Sequence, residues 1–431
     1  MESPALTRQP IIVPRPEHNI SRASISDNAL KVLYRLRKAG HEAYLVGGSV
    51  RDLLLGREPK DFDVATDARP ERVREIFRNC RLIGRRFRLA HVHFKGEIVE
   101  VATFRALHDG EGEREVVDGI IVADNLYGTL EEDAFRRDFT VNALYYNIDD
   151  FSVVDYVGGM ADLRAGVLRL IGEPERRYRE DPVRMLRAAR FAAKLGFRID
   201  PDTAGPILRL APLLREVPPA RLFEEVLKLF LGGYGLESFE RMRALGLFGE
   251  LFPEVEALLA EEEAGYPRTF LAHALANTDE RVGEGRPVTP AFLLACLLWE
   301  PVRRQAAIHR AAGMAETESL HAAAEDVIAR CQARVAIPRR FATPMREIWT
   351  LQPRFARRSG RRPQRFLTHP RFRAAYDFLL LRARGGEDVE ELAQWWTRFQ
   401  EADRDGQQRM MEGRAAGGRR RRRRRRRKTA E

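Results

Sequence analysis

Gly47-Gly48-Ser49-Val50-Arg51-Asp52 is followed nine residues later by Asp61-Phe62-Asp63, and the order of these two stretches decides how the chain reads. Just upstream, Ala43-Tyr44-Leu45-Val46 is a short apolar run with strand propensity. A glycine pair after it, leading into Val50-Arg51-Asp52-Leu53-Leu54-Leu55, predicts a strand, a tight turn and a helix whose first N–H groups face outward. Such a turn can hold phosphate. Two aspartates one residue apart on a strand point to the same side, and the intervening Phe62 then goes into the core. Adjacent carboxylates repel each other unless a cation lies between them, and hard oxygen ligands of this kind suit Mg²⁺. In two-metal phosphoryl transfer such ions stabilise both the attacking and the leaving oxygens. Either motif alone occurs in ordinary loops; their order and closeness supply the specificity.

The chain has 431 residues, enough for about two to four domains, and 44% of them are hydrophobic, as in ordinary globular proteins. It contains no long uncharged apolar run, and Met1-Glu2-Ser3-Pro4 lacks the basic-then-apolar pattern of a signal sequence, so a cytoplasmic protein with no membrane partner is expected. Cys80, Cys296 and Cys331 have neither zinc-site spacing nor the density of a disulfide scaffold and read as small core residues. The net charge is +11, and removing the ten charges of Arg419 to Lys428 leaves +1. The basic character therefore resides in a tail that cannot build a packed core, and a polyanion is its natural partner. A purely solubilising tail is the alternative.

Residues 1–24 are polar and Pro-containing and read as a loosely ordered arm. Either Ser26 or Asp27 is the expected N-cap of a first helix that starts near Asn28 and stops at Gly40. Pro70 to Arg78 reads as a helix, and His91–Phe94 and Glu97–Phe104 as strands. Glu100 shares a face with Ile98 and Ala102, which makes it a candidate to join the Asp pair if the strands lie side by side; a solvated strand residue is the other reading. Residues 108–124 are charged and aperiodic, as in a mobile loop. In Arg136-Arg137-Asp138, two cations before an acid suit a triphosphate and a metal site, or equally a surface ion-pair patch. From Arg164 onward the pattern is largely helical. Pro182 opens a helix on which Arg184, Arg187 and Arg190 line one side. Arg354-Phe355-Ala356-Arg357-Arg358 and Arg371-Phe372-Arg373 interleave cations with aromatics, as single-stranded RNA surfaces do and as charged outer faces of core helices also do. Trp395-Trp396 reads as a packing anchor.

Taken together, these residues resemble the class II nucleotidyltransferases, the group containing the bacterial poly(A) polymerases and the tRNA CCA-adding enzymes. The likeness rests on Gly47-Gly48 with Arg51-Asp52, Asp61-Phe62-Asp63, Glu100 to Arg105, Arg136-Arg137-Asp138-Phe139-Thr140-Val141-Asn142-Ala143 and Glu180-Asp181-Pro182-Val183-Arg184, five blocks in family order. Gly84-Arg85-Arg86-Phe87-Arg88-Leu89-Ala90-His91-Val92, Pro218 to Phe223 and the Arg-rich tail look like the poly(A)-polymerase branch. The resemblance implies an α/β nucleotidyltransferase head of polymerase-beta type followed by all-α neck, body and RNA-binding regions. The expected boundaries are an arm over 1–24, the head over 25–160, a neck over 161–240, a body and RNA-binding domain over 241–403, and a disordered tail over 404–431.

It further implies that Asp61, Asp63 and Asp138 are catalytic. Asp61 and Asp63 would hold two Mg²⁺ ions, with Glu100 or Asp138 as a possible third carboxylate. Gly47, Gly48, Arg51, Arg137, Asp181, Arg184, Arg187 and Arg190 would surround the nucleotide. Arg354, Arg357, Arg358, Arg371, Arg373, Arg419 and Arg427 are the expected RNA contacts. The implied reaction adds AMP from ATP to RNA 3′ ends in RNA processing and decay, with RNA-decay or RNA-chaperone proteins as further partners. CCA addition to tRNA is the near alternative. A silent RNA-binding version is the remote one, opposed by the intact carboxylates.

Overall fold

The computed structural model describes residues 9–84, 88–106, 115–117, 120–123, 127–261 and 268–412. The chain divides into two units, one formed by residues 1–180 with 196–206 and the other by residues 181–195 with 207–431.

The first unit is built on strands β1 (Ile11–Val13), β2 (Ala43–Val46), β3 (Asp63–Thr66), β4 (Cys80–Ile83), β5 (Leu89–Phe94), β6 (Glu97–Thr103), β7 (Glu115–Val117), β8 (Ile120–Ala123), β9 (Leu144–Asn147) and β10 (Val153–Asp155). Eight of them form one sheet in the order β1-β10-β9-β2-β3-β6-β5-β4. Its pairings are antiparallel except β3 with β6, and the crossover between those two carries the helix Pro70–Ile76. A parallel pair needs such a crossover, because no tight turn can bring two strands side by side in the same direction.

The first helix is Asp27–Lys38, and Ser26 is its cap: Ser26 Oγ accepts the Ala29 N–H at 3.1 Å. One face of the sheet packs Val46, Ala65, Phe104, Tyr145 and Val154 against Leu130 and Ala134 of the helix Leu130–Arg136. Three expectations change here. Ile11–Val13, read as part of a loose arm, adds an edge strand to β10, since a three-residue apolar run is too short to show periodicity. Within the stretch read as a mobile loop, β7 and β8 form a hairpin, and residues 107–114, 118–119 and 124–126 lie outside the described residues. Residues 161–180, expected to open a helical neck, belong to the sheet unit.

The second unit is helical, as its sequence pattern predicts. Within it lies an aromatic cluster in which Phe355, Phe366, Phe372 and Trp396 are all buried. Trp396 is 0% exposed and donates from Nε1 to the Phe355 carbonyl at 2.9 Å, while Trp395 stacks on Phe399 at 4.7 Å. The tryptophan pair is thus a packing anchor, with the indole N–H satisfied as burial requires. Residues 404–412, expected within a disordered tail, are helical, and Met411 is buried against this cluster. No helix among the described residues is long and apolar enough to cross a membrane.

Candidate active site

Register brings the motifs to one end of the sheet. Val46, the last residue of β2, pairs with Asp63, the first of β3, and also with Tyr145 of β9. The glycine turn, the aspartates and the segment entering β9 therefore emerge side by side. Asp61 and Phe62 lie just ahead of β3, yet the alternation holds: Asp61 and Asp63 are exposed while Phe62 and Val64 are buried.

Asp63 is the in-register parallel partner of Glu100, so the two carboxylates occupy one face of adjacent strands. On the far side of Glu100, His91 Nε2 lies 3.3 Å from its Oε2. The Asp63 carboxyl is pushed up to about 6, first by desolvation, then by Glu100 and Asp61, with Arg137 and His91 opposing. Among the described residues, no three or more His, Cys, Asp or Glu side chains gather closely enough to hold a metal ion on their own. Asp138 is engaged locally, its Oδ1 accepting from the Phe139 N–H at 2.8 Å and from Asn142 Nδ2 at 3.1 Å.

Gly47 has φ +75, and a Cβ there would stand 3.4 Å from Arg137 Nη1, so this turn is doubly suited to glycine. Arg137 donates to Asp133 Oδ2 through Nε and Nη2 and to the Tyr145 hydroxyl, which itself donates to Asp133. Burial works against the Arg137 charge, but Tyr145 and Asp133 more than offset it and hold the guanidinium protonated. Arg51 lies deeper, 2% exposed. It donates to Asp52 from Nε and to Asn142 Oδ1 from Nη1, the latter at 2.5 Å. A polar chain thus runs from Asp52 through Arg51 and Asn142 to Asp138. Asp133, Tyr145 and Asn142 were missed as site residues: Asn142 stood inside a quoted block, whereas nothing local marks Asp133 or Tyr145.

Asp181, Arg184, Arg187 and Arg190 belong to the second unit. On the helix Val183–Leu195 the three arginines are half-buried while their neighbours Met185, Leu186, Ala188 and Ala189 are buried, so they form a stripe. Asp181 Oδ1 accepts the Val183 N–H, and its Oδ2 accepts from Arg221 at 2.7 Å. Arg190 lies 3.7 Å from Glu225 and over the Phe191 ring.

The expected RNA-contacting arginines separate by partner. Arg358 pairs with Glu391, Arg371 with Glu347 and Arg373 with Asp377, and Arg354 lies over Phe366. Arg357, by contrast, is exposed with no acidic partner among the described residues, and so are Arg361, Arg362 and Arg365 of the same Arg-rich stretch. Arg419 and Arg427 lie outside the described residues, as do Arg85, Arg86 and Phe87.

A sheet end that gathers a glycine turn, an Asp-X-Asp pair and an Arg-Arg-Asp segment defines a nucleotidyltransferase. Family models agree along the chain: a poly A polymerase head domain over residues 43–169, a probable RNA and SrmB-binding site of polymerase A over 196–259, and a polymerase A arginine-rich C-terminus over 312–429. The chain is 54% identical over 397 residues to poly(A) polymerase I of Salmonella typhimurium, covering 90% of this chain and 85% of that one. It is 40% identical to a CCA-adding enzyme of Geobacillus stearothermophilus, but over only 51% of this chain and 53% of that one. Among solved structures, the Bacillus stearothermophilus CCA-adding enzyme in complex with CTP matches with a TM-score of 0.59 and 28% identity, covering 86% of this chain and 82% of that one. The chain belongs to the poly(A) polymerase family of nucleotidyltransferases.

Proposed function

We propose that the chain transfers AMP from ATP to the 3′ hydroxyl of RNA, releasing pyrophosphate without a template. The observation that carries the chemistry is the placing of Asp61, Asp63 and Glu100 at one end of the sheet, where desolvation and then the neighbouring Glu100 and Asp61 raise Asp63. The choice of adenine rests on the family. The donor set fits Mg²⁺: all its atoms are carboxylate oxygens, and their repulsion is what a divalent cation relieves. Asp61 and Asp63 would hold it, with Glu100 rather than Asp138 as the third carboxylate, since Glu100 lies in register with Asp63 whereas Asp138 is bonded to Asn142. Mg²⁺ usually takes one or two carboxylates and completes its shell from substrate phosphates, so no all-protein cage is required. When bound, two such ions would neutralise the triphosphate and acidify the RNA hydroxyl.

Arg137, aimed by Asp133 and Tyr145, would grip the triphosphate through Nη1. Arg51 would act through Asn142 on Asp138 rather than on the nucleotide. Asp181 as acceptor and Arg184 as donor offer a fixed pattern against which a base edge can be read, with Arg187 and Arg190 beside them. Roles in RNA processing and decay, with RNA-decay or RNA-chaperone partners, extend the same reading. The decisive assay offers purified protein an unstructured RNA with ATP alone, and separately a tRNA lacking its end with CTP alone. A long A tract without C incorporation is expected; efficient CTP incorporation would overturn the reading in favour of CCA addition.

RNA capture is assigned to Arg357, Arg361, Arg362 and Arg365, exposed and without an acidic side-chain partner among the described residues, together with the cations of 419–428, because an arginine already paired to a carboxylate has less to gain from phosphate. Neutralising those four as glutamines should flatten the dependence of log affinity on log salt by up to roughly three, at about 0.7 per single-strand phosphate contact. Neutralising Arg358, Arg371 and Arg373 should change it less. Equal slopes for wild type and the fourfold variant would reject this surface.

A further inference from the structure

The Arg136–Thr140 segment carries Arg137 and Asp138, and its main chain is held by residues 169–177. The Ile171 N–H donates to the Asp138 carbonyl at 2.9 Å, and the Thr140 N–H donates to the Arg169 carbonyl at 3.0 Å. Those are backbone contacts that almost any residue would make. Two others depend on a single side chain: Arg177 Nη2 donates to the Arg136 carbonyl at 2.8 Å and to the Arg137 carbonyl at 2.6 Å. Arg177 stands on the helix Pro174–Glu180, is 14% exposed, and spends Nη1 on Glu180 at 3.1 Å. Its stem packs under a turn in which Gly172 has φ +84, with a Cβ there only 3.5 Å from Arg177 Cδ. The two carbonyls that Arg177 spans flank the α-carbon of Arg137. Fixing both fixes the direction of the Arg137 Cα–Cβ bond and the peptide plane that leads into Asp138.

We infer that Arg177 is a positioning residue for nucleotidyl transfer, clamping the carbonyls of Arg136 and Arg137 so that the Arg137 guanidinium and the Asp138 carboxylate are held in working geometry. Arg177 itself touches neither nucleotide nor RNA. The inference rests on the roles proposed for Arg137 and Asp138. Its energetic basis is steep, since a misplacement of about 1 Å at a reacting centre costs roughly 100-fold in rate. Lysine reaches one carbonyl as a point donor but lacks the rigid guanidinium plane, so it should restore only part of the effect.

The test uses full-length Arg177→Gln and Arg177→Lys, with Arg176→Gln as control. Arg176 lies on the same helix, is 68% exposed and pairs its side chain with Glu180, so replacing it removes the same charge without touching the carbonyls. The measurements are kcat and KM for ATP at saturating RNA, melting temperature, and kcat with added sub-denaturing guanidinium chloride. Arg177→Gln should lose about 100-fold in kcat/KM while melting like the control. Guanidinium should recover part of the loss, and Arg177→Lys should fall between. A purely structural role would move the melting temperature and would not respond to guanidinium. Arg177→Gln within about twofold of wild type, or a loss that tracks melting without rescue, overturns the inference. If the glutamine variant fails to fold, a folded lysine variant with wild-type kcat overturns it equally. Inactive wild type would instead count against the polymerase reading itself, whereas active wild type with an active Arg177→Gln counts against Arg177 alone.

Discussion

Asp63→Ala will reduce AMP transfer by at least about 1,000-fold, some 4 kcal/mol of transition-state stabilisation, while the protein stays folded. The rate effect follows from losing one of the two carboxylates proposed to hold the cation. The intact fold follows from the same crowding, because the removed group is repelled by Glu100 and Asp61 and carries no packing load. The pH dependence fixes the sign. A carboxyl whose folded value is about 6 against an ordinary 3.8 takes up a proton more readily folded than unfolded. Its contribution to stability is therefore present below the ordinary value and lost as pH rises through about 6. Without divalent ions, Asp63→Asn should melt close to wild type at low pH and above it at pH well beyond 6. Melting curves at both ends of that range, with and without Mg²⁺, check the claim. A variant retaining a tenth of wild-type activity would remove Asp63 from the site, and a stability difference that shrinks with pH would contradict the raised Asp63 carboxyl.

Asp155→Ala should strongly destabilise the sheet unit. The carboxylate is 1% exposed and closes the turn from β10 into the helix Gly159–Ala165. Its Oδ1 accepts from the N–H groups of Val157, Gly158 and Gly159 at 3.0, 2.9 and 3.0 Å, and its Oδ2 from Met160 at 2.9 Å. Alanine leaves these donors without their acceptor, each costing roughly 1 kcal/mol or more, so a loss of about 3–5 kcal/mol and roughly 10 °C in melting temperature is expected. Asp155→Asn, which keeps one acceptor oxygen, should fall between. The consequence reaches the site, because Gly159 packs so tightly on the chain entering β9 that a Cβ would come within 2.2 Å of the Thr140 carbonyl, and Thr140 Oγ1 donates to Asp162 of the same helix. A variant that melts within a degree or two of wild type would show that water replaces the cap.

Local pattern alone carried much of this protein. The four-residue strand Ala43–Val46, the glycine at positive φ after it, the in-out alternation through Asp61, Phe62 and Asp63, the helix after Pro182 with its arginine stripe, and the tryptophan anchor are all consequences of period and side-chain size over a few residues. Those rules act between near neighbours and need no partner to be read. Three matters waited for tertiary structure. Glu100 became the carboxylate beside Asp63 only through the parallel register of β3 and β6, which depends on a crossover and a hairpin between them. Arg51 proved to be a buried link to Asn142, and Arg177 a clamp on Arg136 and Arg137, because a long cationic side chain reads the same in sequence whether it meets solvent, phosphate or a carbonyl. The arginines of 354–373 could be sorted only once Glu347, Asp377 and Glu391 were seen to neutralise some of them and leave Arg357, Arg361, Arg362 and Arg365 without an acid among the described residues. Charge and periodicity are properties of the chain, but which charge is cancelled and which carboxylates crowd depends on residues that only folding brings within a few ångströms of each other.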